Sequence, residues 1–211
     1  PRLLLLDEPL SALDEPVKLG IISDLKALNR GLRLPVLYVT HSREEAVGLG
    51  DRAVIYERGR VVAAGEPLEV FGAPVKASVA RLTGVENLFE GVVEARDDEA
   101  GTMRVSVGGG GCVVEAPLGR QAAGARVTLA VRSGDIMLAT SEPRGLSARN
   151  VLPGRVSRVE PGAEQTLVRV RSGVEWVAGV TRQSLHELQL ETGRPVWLAF
   201  KTYSVRVFDD D

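Results

Sequence analysis

Three hydrophobic rhythms follow one another along the chain. Leu3 to Leu6 form an unbroken apolar run, the length of a strand buried on both faces of a parallel sheet and too short for an independent helix. Val17, Ile21, Leu25 and Leu28 recur at helical spacing, which predicts an amphipathic helix over residues 15–29 with Gly31 as its stop. Pro35 to Thr40 (PVLYVT) reads as a second buried strand, and the strand–helix–strand unit has the length of one right-handed crossover. His41, at its end, is therefore expected beside Asp7 and Glu8 on one sheet edge. Ser42 and Glu45 have the spacing of a capping box, which starts a helix directly after the histidine. Residues 51–56 and 59–64 are two further strands about a turn at Glu57-Arg58. Short helices over 67–71 and 75–82 follow, separated by Ala73-Pro74.

From Glu86 the rhythm changes to short β-branched runs divided by Gly, Pro and Asp, the pattern of small antiparallel barrels. This half is an internal repeat. NLFEGVV from Asn87 corresponds to NVLPGRV from Asn150, and residues 124–138 align without gaps on 193–207. The first pair of segments lies 63 positions apart and the second 69. The six extra residues of the second copy are expected near 181–190, with a short helix over 183–190. Each copy is expected to form a five-stranded OB-like barrel. The glycine run 108–111 reads as a flexible hairpin turn. The domains expected are an α/β part over 1–84, a first barrel over 85–140 and a second over 145–211.

Composition narrows the function classes. With 26 Lys and Arg against 28 Asp and Glu the net charge is −2, so no basic field argues for nucleic acid. A single cysteine, Cys112, rules out an internal disulfide and points to a reducing compartment. No apolar stretch approaches the roughly 20 residues that span a bilayer, so any membrane role is expected to be peripheral.

The candidate chemistry begins where the first strand ends. Asp7 and Glu8 precede Pro9, which disfavours helix at Glu8 and is expected to keep the chain extended there. Two acids thus stand at the carboxyl end of a buried strand, where open α/β sheets place their ligands. A bare Asp-Glu pair reads equally as a solvated acidic turn. The whole run, LLLLDEPLSALD, is more particular and resembles the Walker B motif and D-loop of ABC-type ATPases.

That resemblance implies that Asp7 holds magnesium and that Glu8 polarises the water attacking the γ-phosphate of ATP. It places Ser11 and Asp14 in the loop facing a partner ATPase domain and makes His41 the switch histidine. No G-x-x-x-x-G-K-[ST] loop, Gln-bearing loop or LSGGQ-type signature occurs. The chain is therefore expected to be the C-terminal part of a longer protein, and by itself inactive as an ATPase, because the P-loop supplies most phosphate contacts. The fold class expected is α/β, a partial P-loop NTPase ABC domain, followed by all-β tandem OB-like barrels.

The barrels in turn resemble the transport-associated OB domains of ABC importer ATPases. VRSGDI at 131–136 is a degenerate form of that family's Val-Arg-Pro-Glu-Asp-Ile segment, with Gly134 in place of an acid. In the second copy, Ser147-Ala148-Arg149-Asn150 together with Lys201-Thr202 resembles the molbindin (Mop) domain that binds molybdate or tungstate. Backbone N–H groups, hydroxyls and one or two cations are what a tetrahedral oxyanion requires. Taken singly, the first element reads as a turn and Lys201 as a solvated edge-strand lysine.

The first copy has Gly84 and Glu86 at the positions of Ser147 and Arg149, and Arg132-Ser133 at those of Lys201-Thr202. Its Glu86 end is expected to repel an oxyanion. Ser147 to Asn150 is then expected to face Lys201-Thr202 of another chain or Arg132-Ser133 of a neighbouring first copy. The combined resemblance implies the ATP-binding subunit of a molybdate ABC importer. Such a subunit would be a homodimer on the cytoplasmic face of the membrane, bound to permease subunits, using ATP and magnesium and sensing oxyanion through its barrels. An importer of sulfate, iron or sugar, and a cytoplasmic molybdate-storage protein with a vestigial ATPase segment, remain open from the residues.

Overall fold

The computed structural model describes residues 2–32, 34–72, 77–82, 84–162 and 165–209, and contacts divide the chain into residues 1–75 and 76–211. In the first unit, β1 (Leu4–Asp7) and β2 (Val36–Val39) pair in parallel, with Leu4 opposite Val36 and Asp7 opposite Val39. The crossover between them is α1 (Glu15–Leu32). This helix runs through Gly31, because one glycine near a helix end costs only about 1 kcal/mol. The stop lies further on, where Pro35 disfavours the helical conformation at Leu34.

The two strands are not buried on both faces. Leu5 and Leu37, register partners, are 65% and 59% exposed, while Leu4, Leu6 and Tyr38 on the opposite face are half-buried. Among the described residues no further strand flanks this two-stranded ribbon, and one crossover helix can cover one face only. Next come α2 (Arg43–Leu49), the hairpin of β3 (Ala53–Glu57) and β4 (Arg60–Gly65), and α3 (Pro67–Gly72). The hairpin turns at Arg58-Gly59, both with positive φ, one residue later than expected. A tight turn matching strand twist needs that conformation at both central residues, and Gly59 supplies it. The break expected at Ala73-Pro74 lies outside the described residues.

The second unit opens with α4 (Ala77–Leu82), whose Ala80 packs against Ala130 and Phe208. Ten strands follow. Those of the first copy are β5 (Asn87–Asp97), β6 (Thr102–Val107), β7 (Cys112–Pro117), β8 (Arg126–Val131) and β9 (Met137–Ala139). Those of the second are β10 (Asn150–Pro161), β11 (Thr166–Ser172), β12 (Val174–Val180), β13 (Pro195–Phe200) and β14 (Arg206–Asp209). The extra residues of copy two form α5 (Arg182–Glu187), N-capped by Thr181.

The two copies are not separate barrels. Strand order in one sheet is β14-β8-β5-β6-β7 and in the other β12-β11-β10-β13-β9. Each sheet therefore takes its outermost strand from the other copy. The crossing follows 3-10 turns at Ser133–Asp135 and Thr202–Ser204, which carry the chain over to its neighbour. One apolar core serves both sheets, with Val105 and Leu129 from the first and Val170 and Leu198 from the second. Trp176 lies at its centre, 4.7 Å from Phe89 and 5.1 Å from Phe200 between ring centroids.

The glycine run is also part of this junction. A Cβ at Gly108 would collide with Val174, and one at Gly173 with the Gly111 carbonyl. The two hairpin tips can approach only as glycine backbone, so the run is a packing element where a flexible turn was expected. The described structure is thus mostly β with barrel-like sheets, and the α/β elements of residues 1–75 amount to less than a P-loop ATPase sheet.

Candidate functional site

At the end of β1, the Glu8 N–H donates to the Val39 carbonyl at 2.9 Å, which fixes the strand ends in step. Glu8 then turns sharply, with φ 43°, where Pro9 had suggested an extended residue. The turn is closed by Ser11, whose N–H and hydroxyl both donate to the Glu8 carbonyl, at 3.3 and 3.0 Å. The Asp14 carbonyl accepts from the N–H groups of Val17 and Lys18 and starts α1. The crossover brings His41 back beside the acids, its Nδ1 3.0 Å from Glu8 Oε1. Both side chains are open to solvent, His41 at 73%, and Asp7 is exposed beside them.

His41 stands on a built support. Glu45, buried in the first turn of α2, accepts hydrogen bonds from the Tyr38 and Thr40 hydroxyls at 2.9 and 2.8 Å, with Lys18 Nζ at 3.8 Å. Burial, and then the Glu45 carboxylate, push the Tyr38 phenol above its ordinary range. Half of the expected capping box forms, with the Glu45 N–H on Ser42 Oγ at 3.2 Å. The reciprocal half does not, because the Glu45 carboxylate is engaged elsewhere. The Ser42 N–H donates instead to Thr40 Oγ1 at 2.9 Å. His41 is therefore held from both sides by Thr40 and Ser42.

The second candidate lies at one end of the joined barrels. Asn150 pairs with Phe200 across β10 and β13, so the strand register alone brings Ser147 to Asn150 and Lys201-Thr202 of the same copy together. The Asn150 amide is not left for a ligand. Its Oδ1 accepts from the Glu115 N–H at 2.8 Å and its Nδ2 donates to the Glu115 carbonyl at 2.9 Å, an imitation of strand pairing onto β7 of the first copy.

The Glu115 side chain completes the arrangement. Thr202 Oγ1 donates to its Oε1 at 2.9 Å, and Arg149 Nε stands 3.7 Å from the same oxygen. Arg149 is 71% exposed and Glu115 24%; Ser147 and Lys201 are exposed and Ala148 is buried. Arg149 and Thr202 of the second copy thus meet on Glu115 of the first within one chain, because the 3-10 turn at Thr202–Ser204 lies against β7.

The opposite end repeats this geometry with different charges. Asn87 clamps the backbone of Val177, at 2.8 Å to its carbonyl and 2.6 Å from its N–H. Glu86 accepts from the Ser133 N–H at 3.0 Å and hydroxyl at 2.6 Å. A carboxylate of the protein itself already fills the hydroxyl and N–H donors of that turn. Sequence reasoning missed Glu115. Its one available signal is that it is the only charged residue of β7 (CVVEAP).

Two barrel-like sheets are built from a repeat, with a polar site at each end, and residues 146–207 match the TOBE domain. Over 99% of its length the chain is 38% identical to the molybdate/tungstate import ATP-binding protein WtpC of Pyrococcus abyssi. Over 97% it is 37% identical to the molybdenum import ATP-binding protein ModC of Rhizobium meliloti. It spans 57% of the length of each of these relatives. Among solved structures it is similar to the cytoplasmic molybdate-binding protein ModG in a molybdate-bound form, at 28% identity and a TM-score of 0.53. That likeness covers 60% of this chain and 98% of ModG. The resemblance to ATP-binding subunits of molybdate importers therefore extends along essentially the whole sequence.

Proposed function

We propose that the chain is the C-terminal portion of the ATP-binding subunit of a molybdate or tungstate ABC importer, and that its barrels bind the oxyanion as a regulatory ligand. The observation that carries this reading is the meeting of Arg149, Thr202 and the Asn150 strand end at one end of a tandem barrel, beside the exposed Ser147 and Lys201. A cation and hydroxyls at a partly exposed edge suit a tetrahedral dianion. Arg149 and Lys201 would supply its counter-charge, Ser147 and Thr202 its hydroxyl donors.

In the complete subunit, residues 1–84 would form the C-terminal part of an ABC ATPase domain working as a homodimer with membrane permease subunits, peripheral on the cytoplasmic face. The exposed Asp7 carboxylate at a strand end fits magnesium, which takes one or two carboxylates together with phosphates and water. Bound with ATP, the ion would neutralise charge on the transferring phosphoryl group. Glu8 would accept a proton from an attacking water, and His41, 3.0 Å from its carboxylate, would orient it. Ser11 and Asp14 would face the partner domain.

Calorimetric titration of the chain with molybdate, with sulfate as competitor, tests the oxyanion reading. Binding that excess sulfate does not displace, weakened at least tenfold by Arg149→Ala and by Lys201→Ala, is the expected result. The likeness to ModG favours a second reading, an oxyanion-binding protein that does not energise transport. It predicts the same titration but no effect of Glu8→Gln on molybdate uptake by cells making the full-length protein.

A further inference from the structure

We infer that Glu115 is an internal counter-anion of the oxyanion site, occupying its donors when no ligand is bound and setting both its affinity and its selectivity for ligand charge. The inference rests on the oxyanion reading above. Three observations support it. Glu115 takes the Thr202 hydroxyl at 2.9 Å and lies 3.7 Å from Arg149 Nε, so it holds two groups that an oxyanion would need. Its backbone is clamped on both N–H and carbonyl by Asn150, so its Cα cannot withdraw. The opposite end shows the same device in closed form, with Glu86 on the Ser133 N–H and hydroxyl.

The two ends differ in where the carboxylate comes from. At the first end it stands on the segment entering β5, at the position of Arg149, and Val177 occupies the Glu115 position on the facing strand. At the second end the entering segment carries Arg149, with Lys201 nearby, and the acid comes from the facing strand. These three side chains sum to one positive charge at the second end. A dianion can enter there if the partly buried Glu115 side chain swings off Thr202, because Arg149 and Lys201 remain. The Glu115 charge still opposes it at short range, and the opposition grows in proportion to ligand charge.

Three variants are titrated with molybdate, a dianion, and with perrhenate, a tetrahedral monoanion of similar shape. Glu115→Gln keeps an acceptor for Thr202 and removes the charge, Glu115→Ala removes both, and Arg149→Ala is the control for the site. Folding of each is checked by thermal unfolding. Molybdate affinity is expected to rise about tenfold in Glu115→Gln, and perrhenate affinity by only about threefold, since the charge–charge energy halves with ligand charge. A merely structural Glu115 would shift both ligands alike. Unchanged or weaker molybdate binding in folded Glu115→Gln and Glu115→Ala, with binding still weakened at least tenfold in Arg149→Ala, would overturn the counter-anion and leave the oxyanion reading intact. No molybdate binding to the wild-type chain or to either folded Glu115 variant would overturn both.

Discussion

The two copies of the repeat share a backbone and differ in their charges, and the contrast separates what builds this domain from what it does. Asn87 and Asn150 do the same work at opposite ends, each clamping the backbone of a strand in the other copy. The β-bulges also coincide, between Val93 and Ala95 in one copy and Val156 and Arg158 in the other. Around this common frame, Glu86 and Val177 at one end stand where Arg149 and Glu115 stand at the other. The asparagines that join the copies are duplicated, while the charges around them have diverged.

The largest test of the shared frame is Trp176→Ala. Removing a fully buried indole packed between Phe89 and Phe200 is expected to cost about 3–5 kcal/mol. Because one core serves both copies, residues 76–211 should unfold in urea in a single transition. Two separated transitions within those residues would show that the copies are independent.

Asn87→Ala and Asn150→Ala come next. Each strands a backbone donor and acceptor, at a cost of about 2–4 kcal/mol read from the same unfolding curves. Asn87 should cost more, since it also donates to the Val131 carbonyl at 3.1 Å and Val177 is the more deeply buried partner. Equal stability of either variant and wild type would remove the clamp from the account.

Charge exchange sharpens the comparison further. Glu86→Arg gives the first end the cation of the second without its facing acid, and calorimetry should then read two molybdate ions per chain where wild type reads one. A stoichiometry still at one would mean that the difference between the ends lies elsewhere.

The smallest expected effect concerns acid stability. In copy two, hydrogen bonding to Arg169 holds the Glu160 carboxyl below the usual carboxylate range, with Arg158 adding to the effect, whereas in copy one Arg104 and Glu94 stand 3.9 Å apart and Arg96 pairs with Asp98 at 3.1 Å. A carboxyl lowered in the folded state contributes stability above its unfolded pKa and loses it as pH falls through the folded value. Arg169→Ala should therefore shrink the pH dependence of stability slightly on the acid side, read from unfolding curves across acid pH.

Much of this frame was legible in the sequence for a definite reason. Strand repeats leave a fixed offset, so the matches at 63 and 69 located the insertion that became α5, and Ser42, three residues before Glu45, marked the cap of α2. The crossover length placed His41 near Glu8. Pairing partners were not legible, because alternation shows that a strand exists and which face is buried but not which strand lies beside it. The exchange of β9 and β14 was invisible for that reason. Glu115 was missed because a lone acid in a strand reads as solvent-facing, and its significance depends on Asn150, Arg149 and Thr202, which are distant in sequence. Strands β1 and β2 read as buried because four leucines in a row carry no information on how many neighbours will cover them. The turn at Glu8 was hidden because the restriction imposed by Pro9 says what the preceding residue avoids, while Ser11 decides what it adopts.

The reciprocal strand exchange has a consequence for how the tandem can be cut or inherited. Neither copy owns a complete wall, so the ten-residue connection from Thr140 to Arg149 is a tether that keeps each borrowed strand at high local concentration. A single copy made alone would present an open edge shaped for a strand it does not itself carry, and it could close only by associating with another molecule. Gene duplication here would have turned a concentration-dependent assembly into a concentration-independent one, leaving two ends free to acquire different charges.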